Sequence, residues 1–175
     1  EILMPMSMMA LFGKHIGVLS AYFYFGTVLT LIIYAIFALK IFRTRGFAYL
    51  FTLVLVARTF PWSCYNVWGG IRFGFGILAI LLAINFLKRK NALWLFFAGI
   101  VSGIALWTSI EIGAISFISV IGMIAFYGYS QKENIKTVFR YVAIYAIGGI
   151  VAILPFAVYL LLNNAIGAYF ETIDV

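Results

Sequence analysis

Charge is what this chain has least of. Only 10% of its 175 residues are Asp, Glu, Lys or Arg, while 66% are hydrophobic and 19% aromatic. Soluble domains carry roughly 25% charged residues. The polar skin of a water-soluble sphere cannot be assembled from this composition, which excludes a soluble globular domain. The same apolar density excludes disorder. A single cysteine, Cys64, excludes an intrachain disulfide. With a single histidine beside it, His15, there is no His/Cys zinc site and no Cys–His nucleophile pair of ordinary type. No asparagine is followed two residues later by Ser or Thr, so no N-glycosylation acceptor is present. Acidic residues are scarcer than basic ones, five against twelve, leaving a net charge of +7. In a chain this apolar the excess reads as loop charge that holds segments on the cytoplasmic side during insertion, and no nucleic-acid partner is expected.

What the chain has in abundance is apolar runs. Six stand between the charges, at about residues 16–39, 46–60, 70–87, 92–108, 112–129 and 138–162. Each is continuously apolar instead of alternating, which predicts helices and not barrel strands. The expected fold is all-α: a polytopic transmembrane bundle of about six spans, one domain over 1–175, in the lipid bilayer. Residues 1–15 are expected as an interfacial outer segment and 163–175 as the start of an outer loop. The second and third runs are short for a hydrocarbon layer of roughly 30 Å. The loop between them, 61–69, carries Trp62, Tyr65 and Trp68, rings that favour the headgroup level. Pro155 inside the sixth run predicts a bend.

Orientation follows from the basic residues. Lys40, Arg43, Arg45, Lys88, Arg89, Lys90, Lys132, Lys136 and Arg140, nine of the twelve, fall on three alternate loops. The positive-inside rule puts those loops in the cytoplasm and both chain ends outside. The chain opens on Glu1 and stops at Val175, and it is expected to be an internal stretch of a longer polypeptide whose remainder is a partner.

The polar residues that need an explanation then gather on the outer side. Arg58 lies within an apolar run, where an arginine costs roughly 2.5–3.5 kcal/mol at mid-bilayer and less towards the edge. Arg72 opens the third run, Glu111 sits in the tight turn between the fourth and fifth, and Lys14 and His15 precede the first. Two outer arginines suit a lipid phosphate, because a guanidinium meets phosphate oxygens bidentately. Glu111 is then an orienter or a base. Structural alternatives stand beside each: snorkelling for Arg58, an Arg72–Glu111 ion pair, helix capping by Glu111 or Ser109, and solvated loop positions for Lys14, His15, Glu171 and Asp174. Gly99 with Gly103, and Gly13 with Gly17, read as close helix contacts. Gly74-Phe75-Gly76 is not a phosphate loop, since no strand precedes it and no Lys-Ser/Thr follows.

The segment Leu95 to Gly113, with Ala98-Gly99-Ile100-Val101-Ser102-Gly103-Ile104-Ala105-Leu106-Trp107-Thr108 at its centre, follows a basic loop, Lys88-Arg89-Lys90, and includes a polar turn at Ser109-Ile110-Glu111. This segment resembles a recurring stretch of the GT-C membrane glycosyltransferases, the protein mannosyltransferase-like and aminoarabinose transferase-like enzymes. Asn66 to Arg72 and the stretch from Leu154-Pro155 through Gly167-Ala168-Tyr169-Phe170 are similar to outer-loop and proline-bearing segments of the same proteins. The resemblance implies an extracytoplasmic site where a sugar passes from a polyprenyl-phosphate donor to an acceptor. That chemistry agrees with the reading of charge, in which Arg72 and then Arg58 are expected as donor-phosphate contacts, with Lys14 and His15 as further binding residues. The catalytic acid would lie upstream of Glu1. No cofactor is identifiable in this stretch, and a divalent metal would depend on carboxylates elsewhere in the full protein. The implied location is a prokaryotic plasma membrane, multi-pass. Two other functions fit the same composition: a transporter or flippase module for a lipid-linked substrate, and a non-catalytic membrane scaffold.

Overall fold

The structure is a computed structural model that describes residues 8, 9, 11–59 and 71–164, apart from the side chains of Arg58 and Thr59. Among the described residues six helices form the architecture: α1 (Ile16–Ile41), α2 (Arg45–Thr59), α3 (Arg72–Arg89), α4 (Leu93–Thr108), α5 (Ile110–Ser130) and α6 (Ile135–Leu162). No strand occurs among the described residues. Each helix lies within three residues of an apolar run expected from the sequence. Three of them, α1, α5 and α6, are long and apolar enough to cross a membrane. Helices α2 and α4, with 15 and 16 residues, rise only about 22–24 Å. Helix α3 has 18 residues but spends three of them on Arg72, Lys88 and Arg89.

The ends of the helices follow from local chemistry. At the α3–α4 turn, Lys90 takes a left-handed conformation (φ 55°) and its N–H donates to the Phe86 carbonyl. Asn91 then accepts the Leu93 N–H at 3.0 Å through its side chain. Asn134 does the same for the Lys136 N–H at the head of α6, also at 3.0 Å. Both satisfy donors that a helix start leaves open. Between α4 and α5 the chain reverses through Ser109 alone, whose backbone is extended. Ser109 holds the N-cap position, yet its hydroxyl makes no capping bond. Glu111 occupies the first turn of α5, where a carboxylate suits the helix dipole.

Helix α4 is the hub. It packs on α3, α5 and most extensively on α6, while α1 joins the bundle through α3 and carries α2 on its other side. The α4–α6 seam is built on glycine. A Cβ at Gly99 would fall on the Tyr145 carbonyl, one at Gly148 on the Phe96 carbonyl, and one at Gly103 on Ala152 and the Gly149 carbonyl. Backbones this close exclude any side chain, so dispersion between main chains holds the pair. Gly13 and Gly17 behave otherwise. A Cβ at Gly17 would meet nothing within 4 Å, and Gly13 sits in a turn at φ 99°, so this pair makes no close helix contact among the described residues.

Burial is inverted relative to a soluble protein. Ala38, Ala79, Ala83, Ala98 and Ala105 are buried, whereas Phe25, Ile118 and Phe126 are more than 70% exposed. Around a core of Phe86, Leu95, Val120, Ile124 and Tyr145, many large apolar side chains point outward and small ones let the helices meet, the arrangement expected where lipid is the surrounding solvent.

Candidate functional site

The three basic turns share one end of the bundle. Lys40 at the foot of α1 donates from Nζ to Asn85 Oδ1 on α3 at 2.5 Å. Lys90 donates from Nζ to the Tyr127 hydroxyl at the foot of α5. Phe86 of α3 meets Tyr127 and Tyr141, the latter near the start of α6, with ring centroids 6.2 and 4.8 Å apart. The remaining ends, the heads of α3 and α5 and the tail of α4, therefore lie opposite.

At that opposite end the glycines of Gly74-Phe75-Gly76 have a packing role. A Cβ at Gly74 would meet Thr30 Oγ1 at 2.8 Å and Ile33 Cδ1 at 3.2 Å on α1. One at Gly76 would meet Ser116 Oγ at 3.0 Å and Ile112 Cγ2 at 3.1 Å on α5. Helix α3 is thus wedged between α1 and α5 at its head. Arg72 stands one turn before Gly76, and Glu111 is the neighbour of Ile112. This brings the two together: Glu111 lies within electrostatic reach of the Arg72 guanidinium. Arg72 is half-buried, with Nε and Nη1 shielded from solvent and its Cζ 4.5 Å from the centroid of the Phe73 ring. Glu111 is exposed. The arrangement offers a guanidinium over an aromatic ring, with an exposed carboxylate within electrostatic reach.

Register along α1 and α3 sets the depth of this pair. Thr30 matches Gly74 and Lys40 matches Asn85, so the two helices run side by side and parallel. Arg72 then lies about 20 Å along the bundle from the Lys40–Asn85 bond, at 1.5 Å per residue. Arg58 is thirteen residues along α2 from Arg45, again about 20 Å from the basic end. Its backbone belongs to the last turn of α2, and its side chain is outside the described residues, as is the whole 61–69 loop. Lys14 and His15 are not brought to this cluster. They precede α1, roughly 20 Å farther out than the Thr30–Gly74 level. His15 occupies the N-cap position of α1 without a side-chain capping bond. Glu171 and Asp174 are outside the described residues.

Two polar features escape a reading of the sequence by charge. The Tyr145 hydroxyl donates to Ser102 Oγ at 2.7 Å in the buried centre of the α4–α6 seam. Its ring also packs on Phe117 of α5 at 5.2 Å. Near the tail of α4, Trp107 stacks on Phe156 at 5.5 Å while its Nε1 is buried with no acceptor among the described residues. The signal for the first was present: Ser102 lies between Gly99 and Gly103, on a face that also meets Gly148-Gly149. Among the described residues no group of three or more His, Cys, Asp or Glu side chains is placed to hold a metal ion.

Comparison of the chain with known protein families, with curated proteins and with solved structures finds no match.

Proposed function

We propose that this chain is part of a multi-pass enzyme of a prokaryotic plasma membrane that transfers a sugar from a polyprenyl-phosphate donor to an acceptor on the extracytoplasmic face. In this reading all six helices cross or enter the bilayer, the basic turns face the cytoplasm, and both ends of the chain lie outside. The observation that carries it is the wedging of α3 between α1 and α5, which sets Arg72 beside Glu111 at the end opposite the basic turns. The resemblance of residues 95–113 to the GT-C enzymes supports the same assignment.

Depth adds a physical reason. If the Lys40–Asn85 level marks the inner edge of a hydrocarbon layer roughly 30 Å thick, Arg72 lies about 10 Å below the outer edge. A cation there is costly unless an anion or water compensates it. A lipid phosphate enters a bilayer from this side at about this level, already attached to its tail. During transfer the bond between the anomeric carbon and the carrier phosphate oxygen breaks, and the phosphate leaves with the electron pair. The acceptor oxygen forms the new bond and loses its proton. Arg72 would stabilise charge growing on the departing phosphate. Glu111 would orient Arg72 or receive the acceptor proton.

The test is turnover of a lipid-linked sugar by the full-length protein, followed as cleavage of the carrier phosphate bond. Arg72→Ala is expected to lower turnover about a hundredfold, the usual scale for loss of one preorganised donor. Unchanged turnover at normal expression would overturn the assignment.

A further inference from the structure

The basic end of the bundle carries a second feature, which takes from the proposed reading only that the basic turns face the cytoplasm. Lys40, Lys88 and Arg89 stand together where α1 and α3 terminate, and all three are exposed. Lys88 lies three residues after Asn85 on the same face of α3, which turns it towards the Lys40 ammonium, and Arg89 follows it in the last turn. That ammonium is held in the group by its hydrogen bond to Asn85 on α3. Few carboxylates are at hand. Between Ile16 and Leu162 the sequence has only Glu111, at the far end, and Glu133, in the α5–α6 turn. Three cations collected from two helices, one of them tethered by a neutral amide, form a cradle for an anion.

Position says which anion. Trp94, Tyr127 and Tyr141 surround the same end, with the Arg89 Cζ 5.7 Å from the Trp94 ring and the Arg140 Cζ 5.6 Å from the Tyr141 ring. Indole and phenol rings settle at the headgroup level, so this is where the polar face of the inner leaflet meets the protein. Directly beyond the cations, Ile36 and Leu39 on α1 present exposed apolar surface that acyl chains would cover. A phosphate arriving at this site with hydrocarbon chains attached satisfies both surfaces at once.

We infer that Lys40, Lys88 and Arg89, with Asn85 as the residue that positions Lys40, bind the phosphate headgroup of an anionic phospholipid in the cytoplasmic leaflet. Basic clusters at the inner ends of transmembrane helices gain about 1 kcal/mol per Lys or Arg from such lipids, or about fivefold in affinity per cation.

The experiment uses the full-length protein in detergent, supplied with phosphatidylglycerol or phosphatidylcholine and read by native mass spectrometry and thermal unfolding. The wild type is expected to retain phosphatidylglycerol preferentially and to unfold at higher temperature with it. Lys88→Gln is expected to weaken retention about fivefold. Asn85→Leu keeps every charge, and with it the signal that sets orientation, and is expected to weaken retention several-fold as well. Lys132→Gln with Lys136→Gln, on the α5–α6 side, is expected to leave retention within twofold of wild type. Equal retention of the two lipids would overturn the inference, and so would equal losses in both groups of variants, which would make the effect one of overall charge. If millimolar inorganic phosphate displaces the lipid completely, the site is a general anion site and the assignment to a lipid fails. None of these outcomes bears on sugar transfer at the opposite end.

Discussion

The Tyr145 hydroxyl donates to Ser102 Oγ at 2.7 Å where α6 crosses α4, and both residues are buried. Four glycines bring the two backbones close enough for this bond to form. In a lipid-surrounded bundle the alternative to such a bond is an unsatisfied polar group, although measured values stay modest, averaging about 0.6 kcal/mol with a maximum of about 1.7. Tyr145→Phe and Ser102→Ala are each expected to destabilise the protein by about 1 kcal/mol in thermal or denaturant unfolding. The double variant should cost less than the sum, because neither partner is then left alone. Strict additivity would show that the contact carries no energy.

Glycine positions separate into two classes. At Gly99 and Gly148 a methyl group would strike a main-chain carbonyl of the facing helix, and backbone cannot swing aside as a side chain can. Gly99→Ala and Gly148→Ala are expected to lose about 2–3 kcal/mol, the scale of overpacking a rigid core. Gly122, in α5, faces open space. Gly122→Ala is expected to be neutral or to gain up to about 1 kcal/mol from helix propensity. Chemical unfolding of the three variants side by side checks the ordering.

Trp107 separates the ring from its N–H. Its Nε1 is buried with no acceptor among the described residues, while its ring stacks on Phe156. Trp107→Phe keeps an aromatic contact and removes the stranded donor, and it is expected to change stability by less than about 1 kcal/mol in either direction. Trp107→Ala forfeits the stacking and is expected to cost about 3 kcal/mol or more. A large loss in the Phe variant would mean that the indole N–H has a partner in the full protein.

For the outer site, the placement of Glu111 within electrostatic reach of Arg72 makes a prediction about coupling. Arg72→Lys keeps the charge but not the planar fork, and it is expected to restore only part of the turnover lost in Arg72→Ala. Glu111→Gln is expected to lower turnover less than Arg72→Ala does. In a double-mutant cycle on kcat/KM, the two losses should not add if Glu111 acts by orienting Arg72. Full additivity would assign Glu111 to the acceptor proton instead.

Much of the helical layout was legible from charge alone. Three of the six runs, 16–39, 70–87 and 112–129, are followed within three residues by a Lys or Arg, because a charged side chain cannot follow the backbone into an apolar layer. The runs 112–129 and 138–162 anticipate α5 and α6 to within three residues. The size of three helices was less legible. Helices α2, α3 and α4 contain too few apolar residues to meet the length of a span by themselves, and hydropathy does not say how neighbours compensate. Lys14 and His15 show another limit: both stand on the same side of the chain as Arg72, yet α1 continues roughly 20 Å beyond the level of that residue.

By itself the amino-acid order determined that this chain is helical, where the helices run, and that its basic residues fall on alternate turns. Those properties are local, since each follows from the solvation of one side chain or the hydrogen bonding of one segment. Only the tertiary structure decided that Gly74 and Gly76 serve packing, that Gly99 meets Tyr145 while Gly17 meets nothing within 4 Å, and that Arg72 comes beside Glu111. These depend on which faces two helices turn towards each other and in what register. Nearly uniform hydrophobicity around each helix leaves that choice open until close packing of small residues makes it.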